Sequence, residues 1–160
     1  MRDSLVINTG PLIALACACG DWRILVNSPF RIIVPTVVLG EIRAGPIGSP
    51  GRDTPVPDAL EIAPEVPVLH HLLVSLDVGE AAVISTALAL GIPAVAIDEL
   101  AGRRVARIHG LQVTGSLGIL VDYGRRDATF SLELAMQRMV LNGIHLSAAI
   151  MDHARRAVLM

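Results

Sequence analysis

The stretch L-D-V-G-E-A-A-V-I-S-T-A-L-A-L-G-I-P-A-V-A-I-D, residues 76–98, decides the fold class. Asp77–Leu90 reads as a helix, opened by the capping-box pattern D-V-G-E and ended by Gly91. Ala94–Ile97 reads as a strand, and Asp98 follows it directly. A further helix then runs to about His109 and stops at Gly110, and Leu111–Thr114 reads as the next strand. Strand and helix in alternation are the mark of a parallel sheet with helices on both faces.

Upstream the same grammar repeats. Ser4–Ile7 is an apolar run that ends in Asn8-Thr9-Gly10-Pro11, and L-I-A-L-A-C-A-C follows. This reads as strand, turn and helix, with Pro11 near the first helical position. Trp22–Val26 suggests a short helix, Arg31–Val34 a β-branched strand, and T-V-V-L-G-E-I-R-A a helix that stops at Gly45-Pro46. Residues 45–58 are rich in Gly, Pro, Ser and Asp and read as an exposed loop. Ala59–Ile62 suits a short edge strand, whereas Val66–Leu76 fits helix and strand equally. Helices are predicted over Ser116–Tyr123, Leu132–Leu141 and Ser147–Val158. The expected architecture is one α/β domain over residues 1–160, a parallel sheet flanked by helices in three layers.

Composition limits the function classes. Hydrophobic residues make up 52% of the 160, enough for a sizeable core, and aromatics only 2%, so that core is aliphatic. The chain has no lysine, so any phosphate contact falls to arginine. A net charge of −2 and a pI of about 6.2 argue against a strongly basic nucleic-acid binder. They do not argue against a nuclease, whose acidic metal site lowers the pI. Cys17 and Cys19, two apart in an apolar stretch, point to different faces of a helix and read as small buried residues. Few cysteines, no signal-like segment and no membrane-spanning run give a cytoplasmic expectation.

In an open parallel sheet, ligands bind beyond the carboxyl ends of the strands. Asn8 and Asp98 each follow a strand and are expected at that one edge, far apart in sequence though they are. Glu41 lies on the helix after the second strand, and Glu80 opens the central helix. Oxygen ligands gathered there suit a hard cation such as Mg²⁺ or Mn²⁺, and no His/Cys cluster favours zinc. Each residue also has a plainer reading. Glu80 completes the capping box with Asp77, Asp98 suits a helix N-cap, and Asn8 suits a turn. Glu41 suits a solvated helix position, though Val37, Val38 and Ile42 around it argue for partial burial. Singly none is specific; their combination is more so.

The segments V-I-N-T-G-P-L-I-A-L, V-P-T-V-V-L-G-E-I, L-D-V-G-E-A-A-V-I-S-T-A-L and A-I-D-E-L-A-G-R-R-V-A-R-I-H-G-L-Q-V-T-G-S-L-G-I-L span most of residues 5–120. In that order they resemble the PIN-domain family, in a branch related to the toxins of type II toxin–antitoxin pairs. The resemblance implies Mg²⁺- or Mn²⁺-dependent hydrolysis of RNA. It implies Asn8, Glu41, Glu80 and Asp98 as the metal-site residues, and Thr114 as a hydroxyl near the site. It also implies an antitoxin partner. One position departs from the pattern: the first motif usually carries aspartate, and this chain has Asn8. An amide oxygen can ligate Mg²⁺ but brings no charge. The alternative is therefore a PIN scaffold with weakened catalysis that binds RNA or protein.

Arg103, Arg104 and Arg107 lie on the helix after Asp98, with 103 and 107 on one face. They suit RNA phosphates, but a solvated helix face is the commoner role of such charges and is preferred. Arg125 and Arg126 are placed in a loop, and His70 and His71 diverge as surface or interface residues. Other enzyme classes lack their signatures. No G-x-G-x-x-G or G-x-x-x-x-G-K follows a strand, no G-x-S-x-G is present, and an aspartyl phosphatase would need Asp rather than Asn8. Dimers are common among similar proteins, and the apolar helices near residues 11–19 and 132–141 are candidate contacts. Residues 125–160 carry no assignable motif.

Overall fold

The computed structural model describes residues 2–50, 52 and 55–160. Strands β1 (Ser4–Ile7), β2 (Arg31–Val34), β3 (Glu61–Ile62), β4 (Ala94–Ala96) and β5 (Gln112–Thr114) form one sheet in the order β3-β2-β1-β4-β5. Every pairing is parallel; across the centre Leu5, Val6 and Ile7 face Ala94, Val95 and Ala96. Both faces of the central strands are covered, so β1 is apolar at consecutive positions and Leu5, Val6 and Ile7 are all buried.

The helices are α1 (Thr9–Cys19), α2 (Arg23–Val26), α3 (Thr36–Arg43), α4 (Val78–Leu90), α5 (Leu100–Ile108), α6 (Ser116–Arg126), α7 (Leu132–Leu141) and α8 (Ala148–Val158). The chain steps from β1 outward to β2 and β3, then returns across β1 to β4 and β5. Right-handed crossovers in opposite directions place their helices on opposite faces. The result is the three-layer α/β/α arrangement. The helix α4 packs on β1 and β4, and α5 on β5, while α1 packs with α6 and α7. The helix α3 touches both α1 and α4.

The helix α4 is the buried centre, with Gly79 through Ala87 all inside. Its start is the expected capping box: the Asp77 carboxylate accepts from the Glu80 N–H at 2.8 Å, and Glu80 Oε2 accepts from the Asp77 N–H at 3.2 Å. At its other end Gly91 takes φ 65°, the left-handed stop. Val66–Leu76 resolves to neither α-helix nor strand but to a 3₁₀ turn over His70–Val74. There the His71 ring stacks on His109, with their Nε2 atoms 3.3 Å apart. The edge strand expected within Ala59–Ile62 is β3, both residues exposed, joined to β2 by the exposed Arg31–Glu61 pair at 2.6 Å. Of the loop expected over 45–58, positions 51, 53 and 54 lie outside the described residues.

One expectation is narrowed and one needs correction. The helices proposed as dimer contacts pack on each other within the chain: α1 buries Leu12, Leu15 and Ala18, and α7 buries Leu132, Ala135, Met136 and Met139. Their apolarity is an internal requirement, and only Leu134, Val140 and Leu141 of α7 remain as exposed large apolar side chains on the pair. Arg125 and Arg126 are not in a loop, because α6 continues through them. The Arg125 guanidinium donates to the Ala157 carbonyl at 2.6 and 3.0 Å, closing the last turn of α8 onto α6. The segment without a motif is thus a helical cover for α1 and α6. The cysteines are free, Cys17 buried and Cys19 half-buried, and burial raises both thiol pKa values.

Candidate active site

The connections from β1 and β4 leave toward opposite edges of the sheet, so their carboxyl ends flank the point where the strand order reverses. Backbone hydrogen bonds continue past the strands there. The Asn8 N–H donates to the Ala96 carbonyl and the Ile97 N–H to the Thr114 carbonyl, each at 3.0 Å. Asn8, Ile97-Asp98 and Thr114 are therefore held side by side at one edge, as the strand ends led one to expect.

Asn8 occupies the N-cap position of α1, but its side chain makes no capping bond. It is 6% exposed, and its Oδ1 has no hydrogen-bond partner. Glu80 is 5% exposed; its Oε2 completes the capping box, while its Oε1 is likewise buried without a partner. Burying an unpaired polar oxygen costs about 1–3 kcal/mol, and these are two that the described residues leave without a partner. The capping-box reading of Glu80 is realised on Oε2, and Oε1 is left without a partner.

Glu41 is exposed on α3, not partly buried as its neighbours suggested. Its carboxylate leans over the first turn of α4, where a Cβ on Gly79 would stand 2.8 Å from either oxygen. The Thr9 hydroxyl donates a short hydrogen bond to Glu41 Oε2, which ties α3 to the turn after β1. Glu80 Oε1 in turn lies against Gly102 of α5 and beside Ile97. Thr9, Glu41, the start of α4, Gly102 and Ile97 form a continuous string of close neighbours running toward Asp98.

Asp98 does not cap its own helix. Glu99 holds the N-cap position of α5, and Asp98 Oδ1 accepts instead from the Ser116 N–H of α6 at 2.8 Å. Two acids thus sit at helix starts, Glu41 over α4 and Asp98 at α6, where free N–H groups and the helix dipole favour negative charge. The half-buried Thr114 ends β5, and its hydroxyl faces Gly118. Burial raises the Glu80 pKa above the ordinary glutamate range, and the charges of Asp77, Glu99 and Glu41 push the same way.

The three arginines of α5 separate. Arg103 is half-buried and donates to the Ile97 carbonyl at 2.8 Å, so it braces the turn that carries Asp98. Burial and the neighbouring Arg107 lower its pKa, against the pull of Asp98. Arg104 and Arg107 are exposed.

The donor set is oxygen throughout, which is the chemistry of Mg²⁺ and Mn²⁺, and two of its oxygens are buried and unpaired. Among the described residues, no three His, Cys, Asp or Glu side chains converge closely enough to hold one ion. Asn8 and Glu80 are buried, while Glu41 and Asp98 are exposed side chains. Sequence reading did not find Thr9, Glu99, the Ser116 N–H or the glycines beside the acids. The only signal for Thr9 and Glu99 was their adjacency to Asn8 and Asp98.

The fold and this edge define a class: an α/β protein with Asn8 and Asp98 following the two strands between which a parallel sheet reverses its strand order. A family model described as PIN domain matches residues 4–159, and the chain belongs to the PIN-domain family, with its nuclease-like fold. No curated protein and no solved structure matches it. Among the described residues, no helix is long and apolar enough to cross a membrane.

Proposed function

We propose that the chain is a divalent-metal-dependent ribonuclease that hydrolyses phosphodiester bonds of RNA. The observation that carries this reading is the pair of buried oxygens without partners, Asn8 Oδ1 and Glu80 Oε1. PIN domains generally use divalent metal ions. Asn8, Glu41, Glu80 and Asp98 are the residues that would hold Mg²⁺ or Mn²⁺, with Glu41 and Asp98 turning in from the solvent side. The cation supplies charge neutralisation at the phosphodiester and a more acidic water. The chain's own contribution is placement. Thr9 and the α6 terminus hold Glu41 and Asp98 at this edge before they turn in, and Arg103 braces the Ile97-Asp98 turn. Thr114 offers a hydroxyl at the same edge, and the exposed Arg104 and Arg107 would take phosphates of a single strand by forked hydrogen bonds.

The test is cleavage of single-stranded RNA with Mg²⁺ or Mn²⁺ against an EDTA control. Cleavage that EDTA abolishes supports the reading, and cleavage that persists in EDTA overturns it. A second reading, a PIN scaffold that binds RNA or protein with little catalysis, is favoured by one observation: among the described residues no three ligating acids converge. RNA binding without cleavage at any Mn²⁺ concentration would select it. The finer assignment, the toxin of a toxin–antitoxin pair in the cytoplasm with a small partner covering the acidic edge, rests on the family resemblance. Growth arrest on expression, relieved by co-expression of a neighbouring small protein, is its test. A homodimer would use the exposed apolar residues of α7 and would show by light scattering.

A further inference from the structure

Away from the oxygen edge, two imidazoles from distant segments meet. His71 lies on the 3₁₀ turn before α4, and His109 closes α5, 38 positions later. Their Nε2 atoms are 3.3 Å apart. The ring centroids are 5.5 Å apart and the ring planes 24° from parallel, so the rings meet through their Nε2 ends. His109 is half-buried, and its Nδ1 lies 2.9 Å from the Val105 carbonyl, one turn back. A carbonyl only accepts, so that Nδ1 carries the proton of the neutral ring. Its Nε2, the atom facing His71, is then a bare lone pair. His71 is exposed, and an Nε2–H on its ring donates into that lone pair.

Three features make this pair a ligand set. A backbone carbonyl bonded to the far nitrogen is the usual support of a metal-binding histidine, because it fixes the tautomer and the direction of the ring. Two nitrogens at about 2.0–2.1 Å from one tetrahedral ion stand about 3.3–3.4 Å from each other, and the two Nε2 atoms already have that spacing. His109 also sits at the carboxyl end of α5, where the helix dipole favours a cation. We propose that His71 and His109 form a two-imidazole site for a d-block divalent cation of the Zn²⁺ class, clasping the 3₁₀ turn to α5. Imidazole nitrogen suits Zn²⁺, Ni²⁺ or Cu²⁺ rather than Mg²⁺, so the site is chemically separate from the oxygen edge and does not depend on the ribonuclease reading. The ion takes the place of the proton between the rings. That proton transfers to His71 Nδ1, and a tilt of the exposed His71 ring aims both lone pairs at the ion. Two side chains take part, so water completes the coordination. Bound there, the ion ties the segment that enters α4 to the helix that follows Asp98.

The test is calorimetric titration with Zn²⁺ in the presence of excess Mg²⁺, beside thermal melts with and without Zn²⁺. His71→Ala is the decisive variant, because the side chain is exposed and the fold can survive its loss. His109→Ala removes the other ligand, and His70→Ala, the exposed neighbour, is the control. The parent is expected to bind one Zn²⁺ per chain and to melt higher with Zn²⁺ than without it. Loss of a supporting residue behind a ligand weakens metal binding about 10–100-fold, so loss of a ligand itself should weaken it at least about tenfold in His71→Ala and in His109→Ala. His70→Ala should bind as the parent does. Parental Zn²⁺ affinity in a folded His71→Ala protein overturns the proposal, as does an equal loss in His70→Ala. A parent that binds no Zn²⁺ once Mg²⁺ is present also overturns it, and leaves the pair as a hydrogen bond between two rings.

Discussion

Asp98 follows β4 but caps the helix after β5: its Oδ1 accepts the Ser116 N–H at 2.8 Å. One carboxylate therefore serves the fold and faces the candidate site. Asp98→Asn keeps an oxygen that can accept the same bond, so the variant is expected to melt close to the parent. Asp98→Ala loses the bond and should cost about 0.5–2 kcal/mol. RNA cleavage in Mn²⁺ should be lost in both. A folded Asp98→Asn protein that cuts at the parental rate would remove Asp98 from the site.

Glu80 should make the metal-free protein less stable as pH rises. Its folded pKa is raised, chiefly by burial and then by Asp77, Glu99 and Glu41. The native state therefore holds the proton to higher pH than the unfolded chain does. That contribution is fully present below the unfolded value of about 4.3 and is lost as pH climbs through the folded value. Glu80→Gln retains an oxygen for the Asp77 N–H and cannot ionise. Without metal it should melt above the parent at pH 7, with the gap narrowing toward pH 4. A gap of constant size across that range would mean that Glu80 is not strained by its surroundings.

Asn8→Asp should strengthen Mn²⁺ binding. The amide oxygen at position 8 is buried and unpaired, as is Glu80 Oε1. A carboxylate there adds attraction for a dication, and without metal it adds a buried charge that destabilises the fold. The melting temperature should therefore fall without metal and respond more to added Mn²⁺ than the parent's does. Equal or weaker Mn²⁺ affinity by calorimetry would show that position 8 does not face the ion.

The arginines of α5 should differ in kind. Arg104→Ala and Arg107→Ala, both exposed, should weaken binding of single-stranded RNA and lower its salt slope by about 0.7 each, with the fold unaffected. Arg103→Ala removes the bond to the Ile97 carbonyl and should lower the melting temperature. Titration of a labelled oligonucleotide at several salt concentrations, beside a thermal melt, separates the two roles. An unchanged slope in the Arg104 and Arg107 variants would place the RNA path elsewhere.

Much of the fold was legible in the linear order because its signals are local. The apolar run Leu5–Ile7, the stop at Gly91 and the D-V-G-E box each act within a few residues, and the structure has them where the sequence placed them. Strand ends in a parallel sheet share an edge, which is why Asn8 and Asp98 could be put together from 90 positions apart. The 3₁₀ turn at His70–Val74 escaped because a mixed apolar segment has no single period until its neighbours choose one. Only the tertiary structure decided the rest. The approach of Glu41 to Gly79, the bond from Thr9 to Glu41, the tie from Arg103 to Ile97 and the packing of α1 on α7 depend on how helices and turns meet. Side-chain periodicity tells which face of an element is apolar; it does not tell which neighbour that face will meet, or which glycine a carboxylate will lean on.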